Sequence, residues 1–260
     1  MQQISYRDIA KVCKAVDSDQ RANVLSALAR NLPEFQPALF GHDGTFVVVG
    51  SGPSMPLYLD DIRQERERGR PIVAIKGAHD WLVSNGIEPD VFVCVDPRDR
   101  RNGIQHKNGR TLYMIASRCD PVMFDHLADC KVMVWHSWSE GEDMPELVPH
   151  TRIGGGSTSG LRAINIGHCM GFRKFVLYGF DSCLADDGKT KRFTGEEAPA
   201  EAIMDLVIGG RRFLCNAALA MQASEFQELY KVMPNITVTA KGDGAIATIL
   251  AERRKRGLPA

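Results

Sequence analysis

The sequence TFVVVGSGPS at residues 45–54 gives the first indication of the fold. Its first half is a continuous run of apolar, mostly β-branched residues, which is typical of a strand buried on both faces of a parallel sheet. Its second half is a loop with glycines at 50 and 52, and residues 55–68 follow as a predicted helix. This order can place a phosphate against a helix N-terminus, where free N–H groups and the helix dipole favour negative charge. The stretch therefore predicts a nucleotide phosphate site, although a tight turn without a ligand gives the same pattern.

The loop differs from the two best-known phosphate-binding motifs. Met55 stands where the dinucleotide fingerprint has its third glycine, and no Lys-Ser or Lys-Thr pair follows as in a Walker loop. The sequence thus indicates phosphate binding by the order of its elements rather than by a named motif.

A second glycine-rich loop, GGGSTSG, lies later in the chain at residues 154–160. Its serines and threonine offer hydroxyl groups and an N-cap to the helix predicted after it, which ends near Gly171. An apolar strand at 174–179 comes next, with Asp181 just past its carboxyl end. Loop, helix, strand and acid predict an anion site and one half of a nucleotide site, while a flexible connection is the alternative.

Further apolar runs alternate with predicted helices through the chain, which indicates βαβ units with right-handed crossovers. We predict an α/β, Rossmann-like, doubly wound fold with a mainly parallel sheet and flanking helices. We expect an N-terminal helical extension at 1–44, a Rossmann-like nucleotide-binding domain at 45–250 and a basic C-terminal tail at 251–260. Residues 198–223 are predicted to be helical, with a break at Gly209 and Gly210.

Composition excludes some classes of function. Lys and Arg number 32 and Asp and Glu also number 32, so no overall charge attracts nucleic acid or an anionic membrane. The seven cysteines show no metal or disulfide spacing, which suits a reducing compartment. No apolar stretch is long enough for a membrane span. We expect a soluble cytoplasmic protein that does not bind nucleic acid and that can form a homo-oligomer.

Polar residues follow several predicted strands, at the sheet edge where open α/β proteins bind ligands. Lys76 and His79 follow the second strand, and Asp96 follows the third. His79 and His136 are candidate general bases, although a lone histidine is more often a structural hydrogen-bonding residue. Asp96 can act in catalysis, hold a sugar hydroxyl, bind Mg²⁺ together with Asp181, or cap a turn.

The motifs together resemble a known group of Rossmann-like proteins. The resemblance covers roughly residues 45–250 and rests on VGSGPS at 49–54, GIEPD at 86–90 leading to VDP at 95–97, TSG at 158–160, and LYGFD at 177–181. The group contains the MptE-like 6-hydroxymethylpterin diphosphokinases, the bacterial motility-accessory factors of flagellin glycosylation and, more distantly, bacterial sialyltransferases. The order of these motifs makes the resemblance fairly specific.

The resemblance to the sialyltransferases implies a set of nucleotide-binding residues. The two glycine loops would contact a cytidine nucleotide sugar, and the strand-end Gly-x-Asp would contact the ribose. On this chain the implied residues are Gly50, Ser51, Gly52, Ser54, Ser159, Gly160, Gly179 and Asp181. Those enzymes use a histidine base in a later segment, and this chain has no histidine at 205–212.

The resemblance to the diphosphokinases implies a different chemistry. An aspartate-rich run after the third strand helps those proteins to bind Mg²⁺ and ATP, and only Asp96 matches it here. The leading hypothesis is therefore a nucleotide-binding transferase that moves a sugar from a CMP-sugar donor to an unknown acceptor. The alternatives are diphosphate transfer from ATP, with Mg²⁺ held by Asp96 and Asp181, and a non-catalytic member that binds a nucleotide or a partner.

Overall fold

The computed structural model describes residues 17–139 and 144–260. In chain order the helices are α1 (Asp17–Leu28), α2 (Leu59–Glu67), α3 (Ala78–Ser84), α4 (Pro121–His126), α5 (Ser159–Cys169), α6 (Ala217–Val232) and α7 (Ala245–Lys255). The strands are β1 (His42–Val49), β2 (Ile72–Ile75), β3 (Val91–Cys94), β4 (Leu112–Ala116), β5 (Lys131–Ser137), β6 (Arg152–Ile153), β7 (Phe172–Tyr178), β8 (Met204–Ile208), β9 (Arg211–Cys215) and β10 (Thr237–Ala240). The predicted α/β, Rossmann-like fold with a mainly parallel sheet is confirmed.

The chain divides into two compact units, each built from separate stretches of sequence. Within the described residues, the first unit contains 43–70 and 173–260, and the second contains 17–42 and 71–172. Residues 1–16, the first part of the predicted N-terminal helical extension at 1–44, lie outside the described residues. The basic stretch predicted as a tail begins inside α7, which continues to Lys255.

The second unit contains the longer series of parallel strands. Their order is β2-β3-β4-β5-β6, and each neighbouring pair is parallel, with Val93 opposite Met114 in the register. Every residue of β2 and β3 is buried, which explains why their sequences are apolar throughout rather than alternating. The two-residue strand β6, which the sequence did not predict, leads directly into the second glycine loop.

The first unit contains strands in the order β10-β7-β1, with β7 and β10 parallel. Phe46 of β1 and Phe175 of β7 are buried, and their rings meet edge to face with centroids 6.0 Å apart. The last four residues of β1 are fully buried, so the apolar run at 46–49 forms core as predicted. β1 ends at the loop that contains Gly50, and β7 ends at the loop that contains Gly179.

The helix predicted at 198–223 is wrong over most of its length. Residues 204–215 form the antiparallel hairpin β8–β9, and α6 begins only at Ala217, where the Asn216 side chain caps it. Gly209 and Gly210 have φ of 56° and 81°, the left-handed geometry that a two-residue hairpin turn requires. The two glycines therefore form the turn between two strands rather than a break within a helix.

No helix among the described residues is long and apolar enough to cross a membrane.

Candidate functional site

In the first unit, Asp181 holds the first glycine loop in place. The Ser54 N–H donates to Asp181 Oδ2 at 3.0 Å, and Ser54 Oγ donates to Oδ1 at 2.6 Å. Asp181 is buried, and burial raises its pKa, an effect that the hydrogen bonds from Ser54 oppose. Both carboxylate oxygens thus join the loop after β1 to the end of β7.

Glycine is required here because two stretches of backbone approach closely. A Cβ on Gly52 would lie 2.3 Å from Asp181 Oδ2, and a Cβ on Gly50 would lie 2.8 Å from the Gly179 carbonyl oxygen. Gly179 has φ of 64°, and its own Cβ would lie 2.7 Å from Met55 Cβ. The glycines predicted to contact a nucleotide are thus already explained by the contact between two loops.

The backbone N–H groups of Gly50 and Gly52 donate to carbonyl oxygens of the protein. The Gly50 N–H donates to the Tyr178 carbonyl at 2.8 Å, and the Gly52 N–H donates to the Gly179 carbonyl at 2.9 Å. The loop leads into a single 3₁₀ turn, Met55–Tyr58, before α2 begins. These donors are therefore engaged in holding the loop. The nucleotide contacts predicted for Ser51, Ser54 and the glycines stay predictions.

Two further segments of the first unit contact this loop region. The Ala245 N–H, at the start of α7, donates to the Asp181 carbonyl oxygen at 2.7 Å. The Phe193 N–H donates to the Ser51 carbonyl oxygen at 3.2 Å. Phe193 belongs to the segment 182–197, which lies in a largely irregular conformation before the β8–β9 hairpin.

In the second unit, the second glycine loop forms the entrance to α5. Gly155 and Gly156 have φ of 101° and 90°, and the Thr158 side chain accepts a hydrogen bond from the Leu161 N–H as the predicted N-cap. Ser159 Oγ accepts from the Val95 N–H at 3.2 Å. This bond joins the N-terminus of α5 to the end of β3, beside Asp96. Gly160 is buried in the first turn of the helix.

Asp96 is surrounded by positive charge. Its two oxygens accept from Arg98 Nε at 2.8 Å, Arg98 Nη2 at 2.9 Å and Arg100 Nε at 2.7 Å. Burial raises the pKa of this carboxyl, but Arg98, Lys76 and Arg100 outweigh that effect and lower it to about 2. Asp96 is therefore ionised and orients two guanidinium groups. We call Lys76, Asp96, Arg98 and Arg100 the basic cluster.

Lys76 adds an unusual backbone conformation to the basic cluster. It follows the last residue of β2 and has φ of 53°, which is uncommon for a residue other than glycine. Strained residues of this kind cluster at functional sites. The sequence placed Lys76 at the carboxyl end of the second predicted strand, but Arg100 was missed.

His79 lies in the core of the second unit with both ring nitrogens engaged. Nδ1 is 3.0 Å from Asp80 Oδ1 and Nε2 is 3.2 Å from the Tyr113 hydroxyl, and the side chain is fully buried. The Tyr113 hydroxyl accepts from the Asn108 N–H, which leaves its own proton to donate to His79 Nε2. A structural role accounts for these contacts, and the catalytic role predicted for His79 has no support among them.

His136 lies near the end of β5, is 1% exposed, and its Nδ1 is 3.0 Å from Ser117 Oγ. Glu34 and His150, which come from distant parts of the sequence, lie beside it. Sequence reasoning missed both of these neighbours, because no local spacing links them to His136.

Arg162 was also missed. It is 3% exposed, and its Nη1 donates to the carbonyl oxygen of Trp138 at 2.8 Å and to that of Ile153. A cation in the first turn of a mostly buried helix is the only sequence signal for this role. Arg162 braces the chain just before the second glycine loop.

The family comparison matches a region that contains much of this geometry. The model described as 6-hydroxymethylpterin diphosphokinase MptE-like matches residues 21–187, which is more than half of the chain. The chain belongs to the MptE-like family. The matched region of this MptE-like protein includes both glycine loops, the basic cluster and Asp181. The family suspected from the sequence motifs is confirmed.

Among solved structures, the chain is similar to the MAf glycosyltransferase from Magnetospirillum magneticum AMB-1, with a TM-score of 0.67. The two are 15% identical, and the match covers 89% of this chain but 37% of that one. This likeness shows a shared fold, and the chain spans little more than a third of that protein's length. None of the curated proteins matches the chain significantly.

Proposed function

We propose that this MptE-like protein is a nucleotide-dependent transferase whose second unit binds a phosphate group of the donor at the basic cluster. The observation that carries the proposal is the buried Asp96 carboxylate, which holds the guanidinium groups of Arg98 and Arg100. A guanidinium that is already oriented loses less freedom when it binds a phosphate, and it presents paired N–H donors.

The net charge of the basic cluster and the N-terminus of α5 both favour the binding of an anion. The cluster contains three cations and one carboxylate, so its net charge is positive, whereas the whole chain is neutral. The N-terminus of the 11-residue helix α5 is joined to the same strand end by the bond between Ser159 and Val95. Helix N-termini and arginines both stabilise the charge that develops on a departing phosphate.

The donor that we propose is a cytidine-activated, sialic-acid-like sugar. The sequence motifs at 49–54 and 158–160 resemble those of bacterial sialyltransferases, and the structural neighbour is named a glycosyltransferase. Breaking the bond between the sugar and CMP leaves negative charge on the nucleotide phosphate, which the basic cluster would stabilise. The proposal does not use His79 as the general base, because its described contacts engage both ring nitrogens.

Diphosphate transfer from ATP is the second candidate, and the name of the family model is the observation that favours it. This reaction calls for Mg²⁺, and the predicted ligands were Asp96 and Asp181. The oxygens of Asp96 accept from arginines and those of Asp181 accept from Ser54, so neither carboxylate is arranged as a magnesium ligand. We therefore favour glycosyl transfer over diphosphate transfer.

Nucleotide titration tests the proposal. We expect CMP or CDP to raise the melting temperature of the purified chain, and calorimetry to give a weaker affinity for Arg98→Gln and Arg100→Gln. A lost charge-assisted hydrogen bond of about 1.5–3 kcal/mol corresponds to roughly a 10- to 100-fold weaker affinity. Arg101→Gln is the matched control, since Arg101 is a neighbouring exposed arginine that pairs with Asp99 instead.

Turnover separates the candidate functions. Release of CMP from a CMP-sugar supports glycosyl transfer, whereas AMP formation from ATP, Mg²⁺ and a hydroxymethylpterin supports diphosphate transfer. Nucleotide binding without either product indicates the non-catalytic alternative. The absence of binding by CMP, CDP and ATP, or equal affinities in the Arg98, Arg100 and Arg101 variants, contradicts the proposed phosphate site.

A further inference from the structure

Three potential metal ligands meet beside β5 in the second unit. Glu34 Oε2 lies 2.9 Å from His150 Nδ1 and 3.5 Å from His136 Nε2. One ligand atom from each residue lies within 4.8 Å of the others. Ligand atoms around a tetrahedral zinc ion with bonds of about 2.0–2.1 Å are separated by roughly 3.3 Å. The spacing of this cluster is thus close to that of a metal site.

A buried nitrogen of His136 is a second, independent observation that points to a ligand. Its side chain is 2% exposed, and its Nε2 has no hydrogen-bond partner among the described residues. A buried polar atom without a partner is costly, so native structures rarely contain one unless a water or an ion binds there. The nitrogen faces the Glu34 carboxylate at 3.5 Å, which is longer than a normal N–H···O hydrogen bond.

The environment of His136 suits the neutral imidazole that binds metals. Its Nδ1 is 3.0 Å from Ser117 Oγ, so Nδ1–H can donate to this hydroxyl and leave the lone pair of Nε2 available. A neutral imidazole with a free Nε2 lone pair is the form in which histidine binds a metal ion.

We propose that Glu34, His136 and His150 form a binding site for a divalent transition-metal ion, with Zn²⁺ the best match. Two imidazoles and one carboxylate are a ligand set that zinc uses in proteins, and a water molecule would complete four-coordination. Glu34 and His150 are 31% and 23% exposed, which gives an ion and its water a route from solvent. The site is separate from the basic cluster and needs no nucleotide.

The ion would hold three separate segments together. Residues 33–35 pair with β5, with the Phe35 N–H donating to the Val134 carbonyl at 2.8 Å. His136 lies two residues further on, where β5 pairs with β6, and His150 lies in the turn before β6. β5 thus pairs first with residues 33–35 and then with β6, and a metal ion bound here would hold both pairings in place. We therefore assign the site a structural role.

Metal binding by the full chain tests this inference. We expect the purified protein, stripped with a chelator and dialysed against Zn²⁺, to retain about one ion per chain by mass spectrometry. Co²⁺ should give the visible absorption of a low-coordinate site, and Zn²⁺ should displace it. Glu34→Gln and His150→Gln should each weaken zinc affinity at least about 10-fold. His106→Gln is the matched control, because His106 is an exposed histidine of the same unit.

Glu34 and His150 are partly exposed, so we expect their substitution to leave the chain folded. Glu34→Gln preserves size, and a circular dichroism spectrum like that of the unchanged chain confirms that each variant is folded. Zn²⁺ should raise the melting temperature of the unchanged chain and of His106→Gln but not that of the two ligand variants. Retention of much less than one ion per chain, or the same zinc affinity in folded ligand variants, overturns the site and leaves a hydrogen-bonded cluster. Neither result bears on nucleotide binding.

Discussion

Substitution of Gly52 by alanine tests the close approach of the two loops in the first unit. The new Cβ would lie 2.3 Å from Asp181 Oδ2, 2.6 Å from the Gly179 carbonyl oxygen and 3.0 Å from the Gly179 carbonyl carbon. Real Cβ atoms essentially never approach a heavy atom within 3.0 Å, so the Asp181 oxygen and the loop must separate by at least 0.7 Å, the difference between 3.0 and 2.3 Å. The neighbour is a buried carboxylate, which cannot swing away into solvent.

The expected cost combines two effects. Overpacking costs about 1–3 kcal/mol, and disturbing a charge-assisted hydrogen bond between Ser54 and the buried Asp181 costs about 1.5–3 kcal/mol. Together they lower the free energy of unfolding by about 3–5 kcal/mol. For a chain of this size the melting temperature should fall on the order of 10 °C.

Urea unfolding followed by circular dichroism measures the change. Gly77→Ala is the matched control, because a Cβ at Gly77 meets nothing within 4 Å and its φ of −63° suits alanine. That variant should lie within about 1 kcal/mol of the unchanged chain. If Gly52→Ala is as stable as Gly77→Ala, the loop is looser than described and the structural explanation for its glycines is refuted.

Substitutions at three more positions test separate parts of the structure. Asp96→Asn should lower the free energy of unfolding by about 2 kcal/mol at pH 7. The pKa of Asp96 is about 2 in the folded state, against an ordinary value of 3.8, so the ionised carboxylate stabilises the fold fully above pH 3.8. This difference should shrink as the pH falls from 4 toward 2, and a constant difference in urea unfolding would contradict it. Gly210→Asn should be tolerated better than Gly210→Val by about 1 kcal/mol in thermal unfolding, because asparagine accepts the φ of 81° at this turn; equal losses would argue against the hairpin turn. His79→Gln should lower stability by about 2 kcal/mol through its lost hydrogen bonds and leave nucleotide affinity unchanged, whereas loss of turnover without loss of stability would support the catalytic role first predicted for it.

Local patterns in the sequence were sufficient to predict most of the parallel strands and the N-cap of the helix that follows Thr158. A strand buried on both faces needs a continuous apolar run, as at 46–49, and an N-cap needs its oxygen within three residues of the N–H that it accepts from. The order of such motifs also indicated the family. These features depend on neighbours in the chain, so they can be recognised without a structure.

The hairpin at 204–215 shows where local reasoning failed. Apolar residues in this stretch fit a helical spacing, and the two glycines were interpreted as a break in it. In the folded chain Phe213 and Cys215 are buried while Arg212 and Leu214 are exposed, which is the period of a strand. The pairing of two segments decided between the helix and the strands, and each segment alone did not show it.

The candidate sites depended still more on the tertiary structure. The strand ends at Asp96 and Asp181 could be placed from the sequence, but only the fold showed that arginines engage one carboxylate and that Ser54 engages the other. Glu34, His136 and His150 are far apart in the chain and meet only because residues 33–35 and β6 both pair with β5. The sequence by itself determined the class of fold, the family and the strand ends, because these follow from patterns between near neighbours. Only the tertiary structure decided which charges meet, since contacts between distant residues are set by the packing of the strands.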